Sequence, residues 1–249
     1  MNFYRIKKIL GIGCALILLG GCTPEIPEGD IKDFVDAIDF DNTYEKVNYG
    51  KSVINVKHYL SEENLAGELT ITTYMDKTDD KYYQYCETLV SGNFYGTNED
   101  QYNFHREQAL VFVNEEGHIE TQKIVDNQKE NLVHSNETMM ELIKGFFYLE
   151  LEGGYHRGGM YYGDYVKANC GRYYQQFSLN ETKDKLNYKI NTSSFDVNED
   201  EVITLHSFTV DKLGMLCELS TTTFYVEKPE KVITTISCDY NEFEKIYKL

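Results

Sequence analysis

The stretch Gly67-Glu-Leu-Thr-Ile-Thr-Thr-Tyr-Met75 puts Leu69, Ile71, Thr73 and Met75 on one side of an extended chain and Thr70, Thr72 and Tyr74 on the other. Side chains alternate across a strand with period 2, so this stretch reads as a β-strand. Asp76-Lys-Thr-Asp-Asp80 is then a turn, and Lys81 to Val90, carrying Tyr82, Tyr83 and Tyr85, is the next strand. Upstream, Lys51 to Tyr59 is rich in Val, Ile and Tyr. Downstream, Ser91 to Asp100 is a polar loop, Gln108 to Val113 a strand, Glu115-Glu-Gly117 a turn, and His118 to Val125 the return strand. β-Branched and aromatic runs punctuated by turn residues at short intervals predict an antiparallel meander.

The C-terminal part repeats the pattern. Arg172 to Leu179 and Lys185 to Asn191 form a predicted hairpin around Asn180-Glu-Thr-Lys-Asp184. Glu201 to Asp211 pairs with Met215 to Val226 across Asp211-Lys-Leu-Gly214. The last strand runs from Lys231 to about Tyr240, with Val232, Thr234, Ile236, Cys238 and Tyr240 on one face. Two segments carry the helical period instead. Asp30 to Asp39 has Ile31, Phe34, Val35 and Ile38 at i, i+3, i+4 and i+7, with Asp30 as N-cap and Asp33 favouring the positive helix start. Asn136 to Leu151, behind Ser135 as N-cap, has Met139, Leu142, Ile143, Phe146 and Phe147 on a broad apolar face, and Gly153 stands where a terminating glycine belongs. Gly153 to Gly171 is a Gly- and Tyr-rich connector. The expected architecture is α+β: one large, curved antiparallel sheet of about nine strands, with the N-terminal and mid-chain helices on its concave face.

The N-terminus sets the location. Asn2 to Lys8 is basic, Ile9 to Leu19 is apolar, and Leu19-Gly-Gly-Cys22 ends the run. That order is a secretory signal, and the run falls short of the roughly 20 apolar residues of a membrane-spanning helix. Leu19-Gly-Gly-Cys22 resembles the lipobox of bacterial lipoproteins. The resemblance implies cleavage between Gly21 and Cys22, acylation of Cys22, and a lipid-anchored protein facing outside the cytoplasm. Residues 1–21 are then the signal, 22–29 the lipidated Cys and its tether, and 30–249 a single extracytoplasmic domain.

Hydrophobic residues make up 41% of the chain, with 21 Tyr and 13 Phe, enough for a core and against wholesale disorder. The formal charge is -17, and loss of Arg5, Lys7 and Lys8 with no acid among residues 1–22 makes the mature chain more negative still. Such a surface repels nucleic acid and anionic headgroups, so membrane association rests on the lipid. Cys86, Cys170, Cys217 and Cys238 remain after processing. Secretion permits disulfides, and a 214–226/232–240 hairpin would bring Cys217 and Cys238 together, although buried thiols fit the same positions.

Catalytic and metal patterns are missing. There is no Cys-x-x-Cys, no His-Glu-x-x-His, no Gly-x-Ser-x-Gly, and His118-Ile-Glu120 lacks the cysteine half of a deaminase zinc site. The acidic clusters Asp79-Asp80, Glu115-Glu116 and Asn198 to Glu201 lack the order of a calcium loop and read as solvated turns. Gly153-Gly-Tyr-His-Arg-Gly-Gly159 has neither dinucleotide nor phosphate-loop spacing. No cofactor, no metal and no enzyme activity are expected.

The lipobox, the helix Asp30 to Asp39 before the first strand, the mid-chain helix Asn136 to Leu151 and the closing strands Phe208 to Met215 and Ile233 to Tyr240 together resemble the half-barrel lipoproteins of the LolA and LppX type. The resemblance implies a membrane-anchored, non-catalytic binding protein for an apolar or lipid ligand. Phe34, Ile38, Met139, Leu142, Ile143 and Phe146 would then line its cavity. The alternative is a surface-interaction or envelope-structural lipoprotein without a small ligand, using exposed rings around Tyr155 to Tyr165.

Overall fold

The computed structural model describes residues 26–38, 46–78, 82–92, 104–135, 148–149, 160–161, 173–195, 201–242 and 244. The chain divides into two compact units, Met1–Thr43 with Phe147–Thr234 and Tyr44–Phe146 with Thr235–Leu249. Antiparallel sheet dominates both.

The second unit is a meander of five strands: β1 (Tyr49–Ser61), β2 (Asn64–Asp76), β3 (Tyr83–Gly92), β4 (Phe104–Val113) and β5 (Ile119–Val125), each paired with the next. Two short strands that the sequence reading did not include, β6 (Gln128–Lys129) and β7 (Val133–Ser135), both pair with β5. Register puts Val56, Leu69 and Val90 in one row on one face, all but fully buried. The opposite face is also covered in part: Tyr83, Tyr85 and Leu110 form a buried cluster, with Tyr74 and Phe112 packed on it. Alternation therefore marks strand, but not a wet and a dry side.

The first unit holds α1 (Asp30–Asp36), a two-stranded ladder of β8 (Tyr148–Leu149) and β9 (Met160–Tyr161), a 3-10 turn (Tyr174–Gln176), and the meander β10 (Phe177–Leu179), β11 (Lys185–Phe195), β12 (Glu201–Asp211) and β13 (Leu216–Tyr225). The last strand, β14 (Lys231–Asp239), runs from the first unit into the second. Among the described residues there are thus fourteen strands, twelve joined in antiparallel sheet, against the nine expected.

Three hairpins share one sequence device. Asn114, Asn180 and Asp211 each open a loop by accepting amide hydrogens from residues ahead: Glu116 and His118, Asp184 and Lys185, Leu213 and Met215. The backbone closes each turn from the residue three ahead, and that residue has positive φ: Gly117 at 83°, Lys183 at 52° and Gly214 at 77°. Asn and Asp are favoured there because their short side chains imitate a backbone acceptor, and glycine takes the left-handed position without strain.

Several expected boundaries move. α1 ends at Asp36 with Ala37 as C-cap, where Asp39 was expected, because Ile38 turns back to bond Val35 at 3.1 Å. Asp30 is the first helical residue after Gly29, and no side chain caps the helix. The body of the mid-chain helix, residues 136–147, lies outside the described residues, but Tyr148–Leu149 at its expected end is a strand paired with Met160–Tyr161. The strand expected from Arg172 begins only at Phe177, after the 3-10 turn.

Candidate apolar binding site

The inward face of the first unit is built from alternate residues of β10 to β13. Register aligns Phe177, Tyr188, Phe208 and Leu219 in one row across four strands, and Ile190, His206 and Thr221 in the next. The rings pack closely. Phe177 and Tyr188 have centroids 4.6 Å apart, Tyr188 and Phe208 4.8 Å, and His206 meets Tyr188 and Phe208 edge-on at 6.0 and 5.9 Å. Tilted and edge-on contacts at these distances suit the aromatic quadrupole.

β13 reaches this face through a bulge. Thr209 pairs with Glu218 but Val210 pairs with Leu216, so Cys217 is an extra residue with no opposite. Leu216 and Leu219 are three apart and would point to opposite faces of a regular strand. The bulge turns both inward, where both are buried.

Helix α1 lies against β10, with Phe34, Val35 and Ile38 buried. Lys183 in the β10–β11 turn donates to Asp30 Oδ2 at 2.7 Å, fastening the helix start to the hairpin. Lys32 and Asp36 pair along its outer side.

His206 is the electrostatic feature of this face. Burial alone pushes its pKa down from 6.5 to about 4, so the imidazole is neutral at physiological pH. Its Nδ1 lies 3.0 Å from the Thr221 hydroxyl, directly across the ladder. Helix and rings thus form a buried hydrocarbon and aromatic cluster, polar only at groups that are neutral at pH 7.

Of the expected lining residues, Phe34 and Ile38 are buried as described; Met139, Leu142, Ile143 and Phe146 lie outside the described residues. So do Gly21, Cys22, the loop Gly153 to Gly159, and the proposed exposed patch from Tyr155 to Tyr165 apart from the backbone of Met160–Tyr161. Cys217 and Cys238, for which the sequence left a bond and buried thiols both open, are thiols. The Cys217 sulfur donates to the Met215 carbonyl at 3.8 Å. Tyr82, Tyr83 and Tyr85 are buried. His118 is paired with Glu116 in its own turn, while Glu120 accepts from Asn114 at 2.9 Å.

A second arrangement, in the second unit, was not legible from spacing. His105 Nδ1 lies 2.9 Å from Asp126 Oδ2, and Asp126 Oδ1 accepts the Arg106 amide at 2.9 Å. On the other face of β4, Arg106 grips Glu87 Oε1 through two nitrogens at 2.8 and 2.6 Å, and Gln108 donates to the Tyr85 hydroxyl at 2.7 Å. Among the described residues, no three His, Cys, Asp or Glu side chains gather to hold a metal, and no helix is long and apolar enough to cross a membrane.

No family model and no curated protein matches this chain. Among solved structures it is similar to a beta-barrel-like protein of a domain of unknown function from Brucella abortus, at 11% identity over 79% of this chain and 99% of that one, with a TM-score of 0.29. A second is a protein of another family of unknown function from Desulfovibrio piger, at 8% identity over 86% and 94% of the two chains, with a TM-score of 0.23. At such TM-scores neither bears on the chemistry of the site.

Proposed function

We propose that this chain is a lipid-anchored extracytoplasmic protein, held to the membrane through Cys22, that binds an apolar or lipid ligand and catalyses no reaction. The observation that supports the ligand class best is the face beneath α1: Phe34, Ile38, Phe177, Tyr188 and Phe208, with the ionisable His206 kept neutral by burial. Neutral, apolar side chains of this kind favour an acyl chain over a charged ligand. The anchor rests on Leu19-Gly-Gly-Cys22 and on the acidic charge, which leaves no electrostatic route to an anionic membrane. A single acyl chain holds only marginally, so retention calls for more than one chain on Cys22.

Fractionation of cells carrying the Cys22→Ser full chain tests the anchor: the variant should leave the membrane fraction as a folded, soluble protein. The released protein then tests the ligand class by titration with 1-N-phenylnaphthylamine, a dye that brightens in apolar surroundings. Saturable brightening displaced by a fatty acid is expected. A variant that stays with membranes, or a dye signal without saturation, would sink the corresponding half of the reading.

One observation favours a surface-interaction role instead. Leu205, Phe224 and Val226 are 38%, 36% and 50% exposed on the outward face of β12 and β13, beside Ile203. If that patch is the functional surface, Phe224→Ser will abolish capture of an envelope partner while dye binding persists.

A further inference from the structure

One register and one hydrogen bond fix where the N-terminal segment enters the first unit. Strand β11 leaves the 180–184 turn, β12 arrives at the 211–214 turn, and Lys185 faces Asp211 in the ladder. The two turns therefore lie side by side at one end of the sheet. Lys183, in the first of them, donates to Asp30 Oδ2 at 2.7 Å, so α1 begins at that same end. The opposite end carries Glu201 and Val226, whose amide donates to the Glu201 carbonyl at 3.0 Å.

Lengths then decide which end can meet a membrane. The 11 residues of β12 are ten steps of about 3.4 Å, which sets the two ends about 34 Å apart. Cys22 to Asp30 is eight steps, and at no more than about 3.6 Å each the span is at most about 29 Å. A lipid on Cys22 keeps the Asp30 end near the bilayer. The segment is too short for the unit to stand on its other end.

The near end offers an apolar tip. Leu213, in the 211–214 turn, is 46% exposed beside the exposed Lys212. Asp211 pins the turn by accepting the Leu213 and Met215 amides, both at 2.9 Å. An aliphatic side chain next to a lysine suits the headgroup boundary, where hydrocarbon sinks and the ammonium stays in water. Asp30 is engaged by Lys183 and Asp36 by Lys32, while Glu28, Asp33 and Glu181 remain exposed acids at or near this end. That charge directs the contact to a zwitterionic rather than an anionic surface.

We infer that this end of the first unit is a membrane-contacting surface, and that Leu213 enters the interfacial layer of a zwitterionic bilayer. The inference rests on the reading that Cys22 carries the anchor, and it adds which surface of the unit faces lipid. Phe224 and Val226, opposite Ile203 and Glu201, are then held away from the bilayer and open to a partner.

The chain contains no Trp, so one introduced Trp reports one position when excited at the red edge. Full chains carrying Leu213→Trp or Val226→Trp are reconstituted into phosphatidylcholine vesicles, with and without 6,7-dibromostearoyl phosphatidylcholine, and flotation scores attachment. Val226, 50% exposed, is the control at the opposite end. Emission from Leu213→Trp should shift to the blue and fall about twofold with the brominated lipid, while Val226→Trp stays unchanged. Adding Cys22→Ser to Leu213→Trp should abolish both effects, because one leucine does not hold a domain at a bilayer. Chains that float but show no quenching of Leu213→Trp, or equal quenching at both positions, overturn the inference and leave the anchor intact. Failure of the full chain to float overturns both.

Discussion

Acidification should single out His206. Its pKa falls from 6.5 in the unfolded chain to about 4 in the fold, through burial among Tyr188 and Phe208. Between those two values the unfolded chain binds a proton that the folded chain refuses, so stability rises with pH across this window and is lost as pH falls through it. At about 1.4 kcal/mol per unit, the cost at pH 4.5 is about 2.5 kcal/mol, with most of the effect absent above pH 7. Carboxylates titrate nearby, and easing of the strong negative charge acts in the opposite direction, so the total pH profile is a poor probe. The difference between wild type and His206→Phe isolates the group. At pH 7.5 the variant should be about 1 kcal/mol less stable, since Thr221 loses its 3.0 Å partner. At pH 4.5 the difference should move by about 2.5 kcal/mol and change sign, leaving the variant about 1.5 kcal/mol the more stable, read from urea midpoints at unchanged m-value. Parallel pH profiles for the two proteins, or a His206 titration by NMR near 6.5, would refute the burial argument.

Gly92 at the end of β3 has φ of 68°, and a Cβ there would sit 2.4 Å from the Ala66 carbonyl oxygen. Gly92→Ala should therefore cost about 2–4 kcal/mol, visible as a lower Tm, and a loss below about 0.5 kcal/mol would contradict the close approach of β2 and β3. Asp211→Ala removes the acceptor for the Leu213 and Met215 amides, each at 2.9 Å, and should cost about 1–2 kcal/mol in urea titration; Asp211→Asn should restore most of it.

The strands were legible because their signals are local. Leu69 to Met75 alternates, and the loops at Asn180 and Asp211 combine an Asn or Asp acceptor with a tight turn. The inward position of His206 was also readable, since Val202, Thr204, His206, Phe208 and Val210 alternate into the buried face of β12. Leu216 and Leu219, three apart in a strand, advertised a bulge, and Cys217 is its extra residue opposite β12. The burial of Tyr83, Tyr85 and Leu110 on the face opposite Leu69 could not be read, because cover on both sides of a sheet comes from tertiary packing. His105 and Asp126 are 21 residues apart and meet only because β4, β5 and the turn after β5 bring them together. The Asp126-Asn127 pair did carry a turn signal, and reading it would have located β6.

Native mass spectrometry of the full chain, purified from its own membranes without added lipid, tests the central claim most directly. The account predicts a covalent mass increment confined to the peptide that begins at Cys22, together with a non-covalent apolar molecule at near-stoichiometric occupancy that is released on unfolding. A chain carrying an unmodified Cys22 and no bound apolar molecule would contradict it.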